Sequence, residues 1–260
     1  MENEDREIVL MEGEYENEPV FLYAHNEVMH SAVFLKKGMH FDPVFPYARI
    51  MCNLTLAKEE KEDVLLIGGA GYSMPKYLIS QSEAVRMDVG DNDPTGYDTA
   101  LAFFYLQELI DLYHPDENGR LMPITADGRE YLEDTEKLYD VILDDAYDGV
   151  MPVLELLTVQ SAQAAKAHLK KNGLFLANIP GYSEVQAFPL TADIVRTYAS
   201  VFRYVYLIDA HASASEYACN YVLAASDVPV HIAETVGIDL KDAVILQDEM
   251  LGELKKDYIF

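Results

Sequence analysis

The chain has 260 residues, half of them hydrophobic, and carries 45 acidic side chains against 19 Lys and Arg, a net charge of −26. That balance repels phosphate backbones, so nucleic acid is not an expected partner; it attracts cationic substrates, or it simply reflects an acidic proteome. No apolar run approaches the ~18–20 residues needed to span a bilayer, and residues 1–7 are polar and acidic, unlike a signal peptide.

Residues 1–60 read as a small β-rich domain. Ile8–Leu10, Val20–Tyr23 and Met29–Leu35 are short β-like runs separated by Gly13, Asn17-Glu-Pro19, Asn26 and Lys37-Gly38. Pro43 and Pro46 break the chain before a helix over Tyr47–Leu56. From Val64 to residue 228, strands and helices alternate, which implies a parallel sheet. Val64–Ile67 suits a strand buried on both faces. Gly68-Gly-Ala-Gly71 follows, a turn that brings bare backbone close to a ligand. Ser73 is a candidate helix N-cap and Pro75 suits the first turn. Ala84–Val89 is a second strand, tipped by Gly90-Asp91. Strand, glycine turn, helix and acid-tipped strand form a nucleoside-binding βαβ unit, the acid accepting from ribose hydroxyls. The dinucleotide pattern is incomplete: Gly69 and Gly71 match its first two glycines, but Met74 stands at the third.

After Pro94 one helix is expected, with Leu101, Phe104, Tyr105, Leu109 and Leu112 on its apolar face. Leu121–Thr125 is a third strand, Arg129–Asp134 a short helix, and Tyr139–Leu143 a fourth strand. Thr158–Lys171 reads as a helix stopped by Asn172-Gly173, and Leu174–Ile179 as a fifth strand. Pro189–Phe202 is helical, Arg203–Ile208 a sixth strand and Glu216–Ala225 a seventh. The stretch Asp209–Ser215 is too short for a crossover helix, so the last pair is antiparallel. A parallel sheet closed by an antiparallel hairpin is the shape of the class I methyltransferase-like fold. Residues 229–260 form a tail on that domain, with a helix over Leu246–Lys256. Cys52 and Cys219 have no metal-ligand spacing around them and read as buried and reduced, in keeping with cytoplasm.

Ligands of open parallel sheets bind at the carboxyl ends of the strands. Four successive ends carry glycines or acids: Gly68–Gly71, Asp91, Asp127, and Asp144/Asp145 with Asp148. Any one acid here could be merely solvated; their recurrence at consecutive strand ends is the informative part. The last cluster could hold an amine, take its proton during attack, or bind a hard cation, although no further ligand stands at metal spacing.

These segments resemble the spermidine synthase (polyamine aminopropyltransferase) family over roughly Val28–Ala225. The resemblance rests on Val64–Lys76, Met87–Pro94, Ala126–Leu132, Tyr139–Asp148, Pro152 and Leu157-Thr158. It implies a Rossmann-like seven-stranded α/β sheet with an N-terminal antiparallel sheet. It further implies that Gly68, Gly69 and Gly71 lie against the methionine part of S-adenosylmethionine or its decarboxylated form. Asp91 would bind ribose, and Asp127, with Gly128, the adenine. Asp144 belongs to the same donor site, with Asp145 as the catalytic aspartate that takes the amine's proton and Asp148 as its amine-binding partner. Tyr47 matches a substrate-side tyrosine, and His30 stands on the substrate side where the family has a Gln; a lone histidine is more commonly a structural one. No metal is implied. Expected partners are a small-molecule amine and a second copy of the chain, not nucleic acid and not membrane.

Three departures stand out. Gly71 occupies the position where the family carries an acid for the aminopropyl amine, and Ala70 and Tyr72 fill glycine positions. The Tyr72 ring could crowd the site or cover the ligand. Aminopropyl transfer to an amine is the first reading, methyl transfer to another acceptor the second, and a degenerate non-enzymatic homologue the third.

Overall fold

The computed structural model describes residues 8–25, 28–149, 151–181, 189–210 and 219–257. Three antiparallel strands come first, β1 (Ile8–Tyr15), β2 (Glu18–His25) and β3 (Val28–Phe34), paired in that order. Glu16 and Asn17 turn the first hairpin at positive φ of 52° and 64°, the backbone twist that two-residue hairpins require. Helix α1 (Pro46–Ala57) starts on a proline, whose fixed φ suits a first turn.

The main unit then alternates: β4 (Asp63–Ile67), α2 (Ser73–Gln81), β5 (Arg86–Asp91), α3 (Gly96–Phe103), α4 (Leu106–Tyr113), β6 (Leu121–Thr125), α5 (Gly128–Asp134) and β7 (Tyr139–Asp144). A two-residue ladder of β8 (Tyr147–Asp148) with β9 (Met151–Pro152) precedes α6 (Val159–Ala167) and β10 (Leu169–Gly181). Then come α7 (Pro189–Ala199), β11 (Tyr204–Asp209), β12 (Cys219–Ser226) and α8 (Leu251–Asp257). The large sheet runs β11-β12-β10-β7-β4-β5-β6. Every pair is parallel except those of β12, which is antiparallel to both β10 and β11.

Alternation along each strand feeds two cores. Leu65, Ile67, Ile142, Phe175 and Leu223 face α5, α6, α7 and the tail residues Leu246 and Leu254. Val64, Leu66, Val141, Leu143 and Leu176 face α1, α2 and α4. Strands covered on both sides read as unbroken apolar runs, which is how β4 and β7 look in the sequence. Helix α1 lies against α2, β10 and β12. Among the described residues no helix is long and apolar enough to cross a membrane.

Several boundaries differ from the sequence reading. Ser73 is not the cap of α2: Tyr72 is, at φ 54°, and no side chain caps the helix. The single helix after Pro94 is two, broken at Phe104–Tyr105, where Tyr105 takes φ 57°. Lys76, 1% exposed, donates from Nζ to the Phe104 carbonyl freed by that break, and Tyr105 stacks on His40 with centroids 3.8 Å apart. Leu112, assigned to the apolar face, is 61% exposed. Helix α6 stops at Ala167; the Asn172-Gly173 signal marks a kink inside β10 instead, with Asn172 at φ 64° and a register shift between Leu169 and Leu174. Leu246 is buried and lies outside any helix, and α8 begins at Leu251. Cys52 is buried and free. The side chain of Cys219 and residues 211–218, including the start expected for the last strand, lie outside the described residues.

Candidate active site

The order of the large sheet reverses between β4 and β7, which places a crevice between their carboxyl ends. Gly68 stands at that point with φ +92°, a conformation other residues reach only with strain. A Cβ on Gly68 would run into the carbonyl of Asp145, and Asp145 N–H donates to Ile67 O at 2.8 Å. The glycine turn and the end of β7 are therefore in direct backbone contact.

A narrow cleft of about 20 Å³ opens there, room for roughly one water. Gly68, Gly69 and Ala70 line it with His30, Ser31, Tyr47 and Asp145, and Leu66, Phe45, Ala48 and Met74 supply apolar walls. Three sources thus converge: β3, α1 and the sheet edge. A larger hollow of about 340 Å³ lies elsewhere, between Glu16, Glu18 and Phe34 on one side and Arg49, Asn53 and Tyr77 on the other, and contains none of the expected site residues.

Asp145 is half-buried, and both carboxylate oxygens accept hydrogen bonds. Asn178 Nδ2 donates to Oδ1 at 2.7 Å, and the Tyr47 hydroxyl donates to Oδ2 at 3.2 Å. Burial pushes the carboxyl up to about 7, while the Asn178 and Tyr47 hydrogen bonds hold it down against that trend. Burial, with the Asp145 charge beside it, also drives the Tyr47 hydroxyl well above its ordinary range.

Asp144 is 5% exposed, and burial pushes its carboxyl up to about 8, with the neighbouring Asp145 charge adding to the rise. The folded state keeps a proton that the unfolded chain releases near the ordinary value of 3.8. Its contribution to stability is full below about pH 4 and is lost as pH climbs through about 8. Asp144→Asn should therefore match the parent near pH 4 and melt about 2–8 °C higher at pH 9, an effect of ~1–2 kcal/mol. Thermal melts across pH check this; a gain of equal size at both ends would remove the titration argument.

Asp91 approaches the glycine turn from β5. Its Oδ2 accepts from Gly69 N at 2.8 Å and Ala70 N at 2.9 Å, and its Oδ1 accepts from Asp93 N at 2.9 Å. It fixes the turn's shape. Tyr72, 2% exposed, packs beneath the turn with its ring edge-on to Tyr97 at 5.5 Å. It is not among the residues lining the cleft, but its ring lies behind Gly69, where a Cβ would stand 3.4 Å from Tyr72 Cε2. At Gly71 a Cβ would collide with the Ser31 hydroxyl and lie 2.9 Å from Phe104 Cδ1.

The remaining residues stay outside the cleft. Asp127 caps α5, its Oδ1 accepting from Arg129 N at 2.8 Å and Glu130 N at 3.0 Å. Gly128 lets α5 pack onto Ile67, where a Cβ would overlap Cγ2. Asp148 is exposed on β8. Asp127→Ala should lower stability by about 1 kcal/mol through the lost cap, a fall of ~2–4 °C in Tm that a melting curve reads directly. Asn178 and Asn220 belong to the site although sequence reasoning passed over them. The available signal was a polar residue inside the apolar run Leu174–Ile179, at the carboxyl end of its strand. Among the described residues no group of three His, Cys, Asp or Glu gathers at metal-ligand spacing.

No protein-family model matches the chain. A curated polyamine aminopropyltransferase of Vibrio vulnificus is 31% identical over 137 residues, covering 52% of this chain and 43% of that protein. The chain spans about half the length of the curated relatives it matches. A probable spermidine synthase from Corynebacterium glutamicum superimposes with a TM-score of 0.62 at 21% identity, over 88% of this chain and 79% of that one. Human methyltransferase-like protein 13, solved in complex with SAH, gives a TM-score of 0.55 at 18% identity, over 74% of this chain and 85% of that one. Motif order, the reversed strand β12 and these likenesses agree: the chain is similar to polyamine aminopropyltransferases in sequence and is built on the methyltransferase-type sheet.

Proposed function

We propose that the chain is a spermidine synthase-like transferase that moves an aminopropyl group from an adenosyl sulfonium to an amine, with Asp145 as the base. One observation carries this reading. A carboxylate pushed up to about 7 stands between a tyrosine hydroxyl and a bare glycine turn, at the point where the sheet order reverses. A free amine is mostly protonated at neutral pH, since alkyl ammonium groups titrate near ~10, and only the neutral form attacks carbon. A base poised near the working pH removes that proton most effectively.

The donor sulfonium, when bound, makes its attached carbon electrophilic. The residues do the rest. Gly68, Gly69 and Ala70 offer backbone with little or no side chain, Leu66, Phe45 and Met74 offer an apolar wall, and Tyr47 holds the base. As the N–C bond forms and the C–S bond breaks, the bonding pair stays on sulfur and the amine proton passes to Asp145. The lining chemistry suits an adenosyl group; the volume of about 20 Å³ does not, so binding has to widen the cleft. Asp91 at the turn and Asp127 at the neighbouring strand end are the proposed ribose and adenine contacts, and Asp148 the outer amine contact.

Methyl transfer is the second reading, and the geometry at Gly71 favours it. Ser31 and Phe104 fill the space that an acid there would need, so nothing at this position selects a donor whose tail ends in an ammonium alone. Calorimetry separates the two. Tighter binding of decarboxylated S-adenosylmethionine, with turnover on putrescine, supports aminopropyl transfer. Preference for S-adenosylmethionine itself supports methyl transfer. No affinity for any adenosyl thioether would overturn both and leave a non-enzymatic homologue.

A further inference from the structure

Two asparagines stand behind Asp145 in an otherwise apolar part of the sheet. Asn178, 5% exposed, lies in β10 between Ala177 and Ile179. Its Nδ2 donates to Asp145 Oδ1 at 2.7 Å, and its Oδ1 accepts from Asn220 Nδ2 at 2.6 Å. Charge sets the direction of this chain. An ionised carboxylate can only accept, so Asn178 must turn its NH₂ toward Asp145. Its carbonyl oxygen then faces Asn220, which must donate.

Asn220 reaches this place because β12 runs backwards. The first residues of an antiparallel strand lie at the edge where the parallel strands end, and Asn220 sits opposite Pro180 there. The Tyr147 hydroxyl, 3.3 Å from Asn178 O, adds a contact to the same residue. With Asn178 on Oδ1 and Tyr47 on Oδ2, the Asp145 carboxylate cannot rotate.

We propose that Asn178, oriented by Asn220, is a positioning residue that keeps Asp145 ionised and aims its Oδ2 edge into the cleft. This rests on the reading of Asp145 as the base. Tyr47 and Cys52 face Asp145 from α1, Tyr147 from β8, and Asp144 from its own strand. His30 lines the same cleft from β3. Since Asp144, pushed up to about 8, titrates close to Asp145, the test follows the Asp145 carboxyl itself.

That test is ¹³C NMR of protein labelled at aspartate carboxyls, with the Asp145 signal assigned by its loss in Asp145→Asn. The parent midpoint is expected near the value of about 7. Asn178→Leu should raise it by about one pH unit or more, the equivalent of one lost charge-assisted hydrogen bond. Asn220→Leu should move it the same way by less, roughly half a unit, because it acts through Asn178. In turnover, the acid limb of kcat/KM should follow the NMR midpoint while KM for the donor stays unchanged. An unmoved midpoint in both folded variants overturns the proposal. If Asn178→Leu does not fold, Asn220→Leu and Asn220→Ser, which leave Asn178 in place, decide it. A shifted midpoint in a protein without transferase activity supports the asparagine relay and rejects the transferase reading, so the two fail separately.

Discussion

Asp145→Asn is expected to lower turnover by about 10²–10⁴-fold, the usual worth of a positioned general base, with affinity for adenosyl ligands nearly unchanged. The substitution keeps shape and removes the proton acceptor. The introduced amide would still meet the Tyr47 hydroxyl, but its NH₂ would oppose the NH₂ of Asn178 unless one of the two turned over, so one hydrogen bond changes sense. Calorimetry with methylthioadenosine and steady-state kinetics with an amine acceptor measure the two halves separately. In the parent, the base acts only when ionised. With its carboxyl pushed up to about 7, kcat/KM should rise with pH, level off above about 8 and lose about tenfold per unit below about 6. Equal loss of binding and turnover in Asp145→Asn would make Asp145 a structural group. An acid limb near ~pH 4, the ordinary carboxylate range, would mean that a carboxylate other than Asp145 or Asp144 takes the proton.

The sheet and its functional edge are legible in the sequence because the central strands β4 and β7 are short apolar runs followed by glycine or aspartate. Val64–Ile67 before Gly68 and Tyr139–Leu143 before Asp144 need no distant partner to be read. The reversed strand β12 is legible for a different reason: too few residues separate it from β11 for a crossover. Where reading by pattern stops, a contact remote in sequence decides. The apolar spacing after Pro94 runs straight through Phe104–Tyr105, and the break there depends on Lys76 reaching the freed carbonyl from another helix. Asn172-Gly173 carries the same left-handed signal whether it ends a helix or kinks a strand, and only the pairing of Leu169 with Tyr139 tells which.

The site divides in the same way. Asp145 and the glycine turn are readable because strand ends bear ligands. Asp127-Gly-Arg-Glu130 has the spacing of a capping box, and that spacing serves the helix whatever binds nearby. Asn178 has no motif, and its value comes from a carboxylate on one neighbouring strand and an amide on the other. Serine and phenylalanine at positions 31 and 104 look like ordinary core residues until Gly71 is placed between them.

That placement gives the second large effect. Gly71→Asp should destabilise the protein by about 2–4 kcal/mol, the sum of overpacking a tight space and desolvating a carboxylate. On the scale for domains of this size it is a fall of roughly 4–16 °C in Tm. The new Cβ would overlap the Ser31 hydroxyl, stand 3.0 Å from Ser31 Cβ and press on Phe104 Cδ1 at 2.9 Å. Ser31→Gly removes two of those three obstacles, so the double variant should recover about half the loss. If the donor's tail lies along this turn, the double variant should also bind decarboxylated S-adenosylmethionine about tenfold better relative to S-adenosylmethionine, the worth of one charge-assisted contact. Melting curves and competitive calorimetry read these two quantities independently. A Gly71→Asp protein as stable as the parent would mean that Ser31 and Phe104 move aside freely, and the geometric case for methyl transfer would go with it. A stable double variant with unchanged donor preference would place the tail away from position 71, and the absence of an acid there would then carry no information about the reaction.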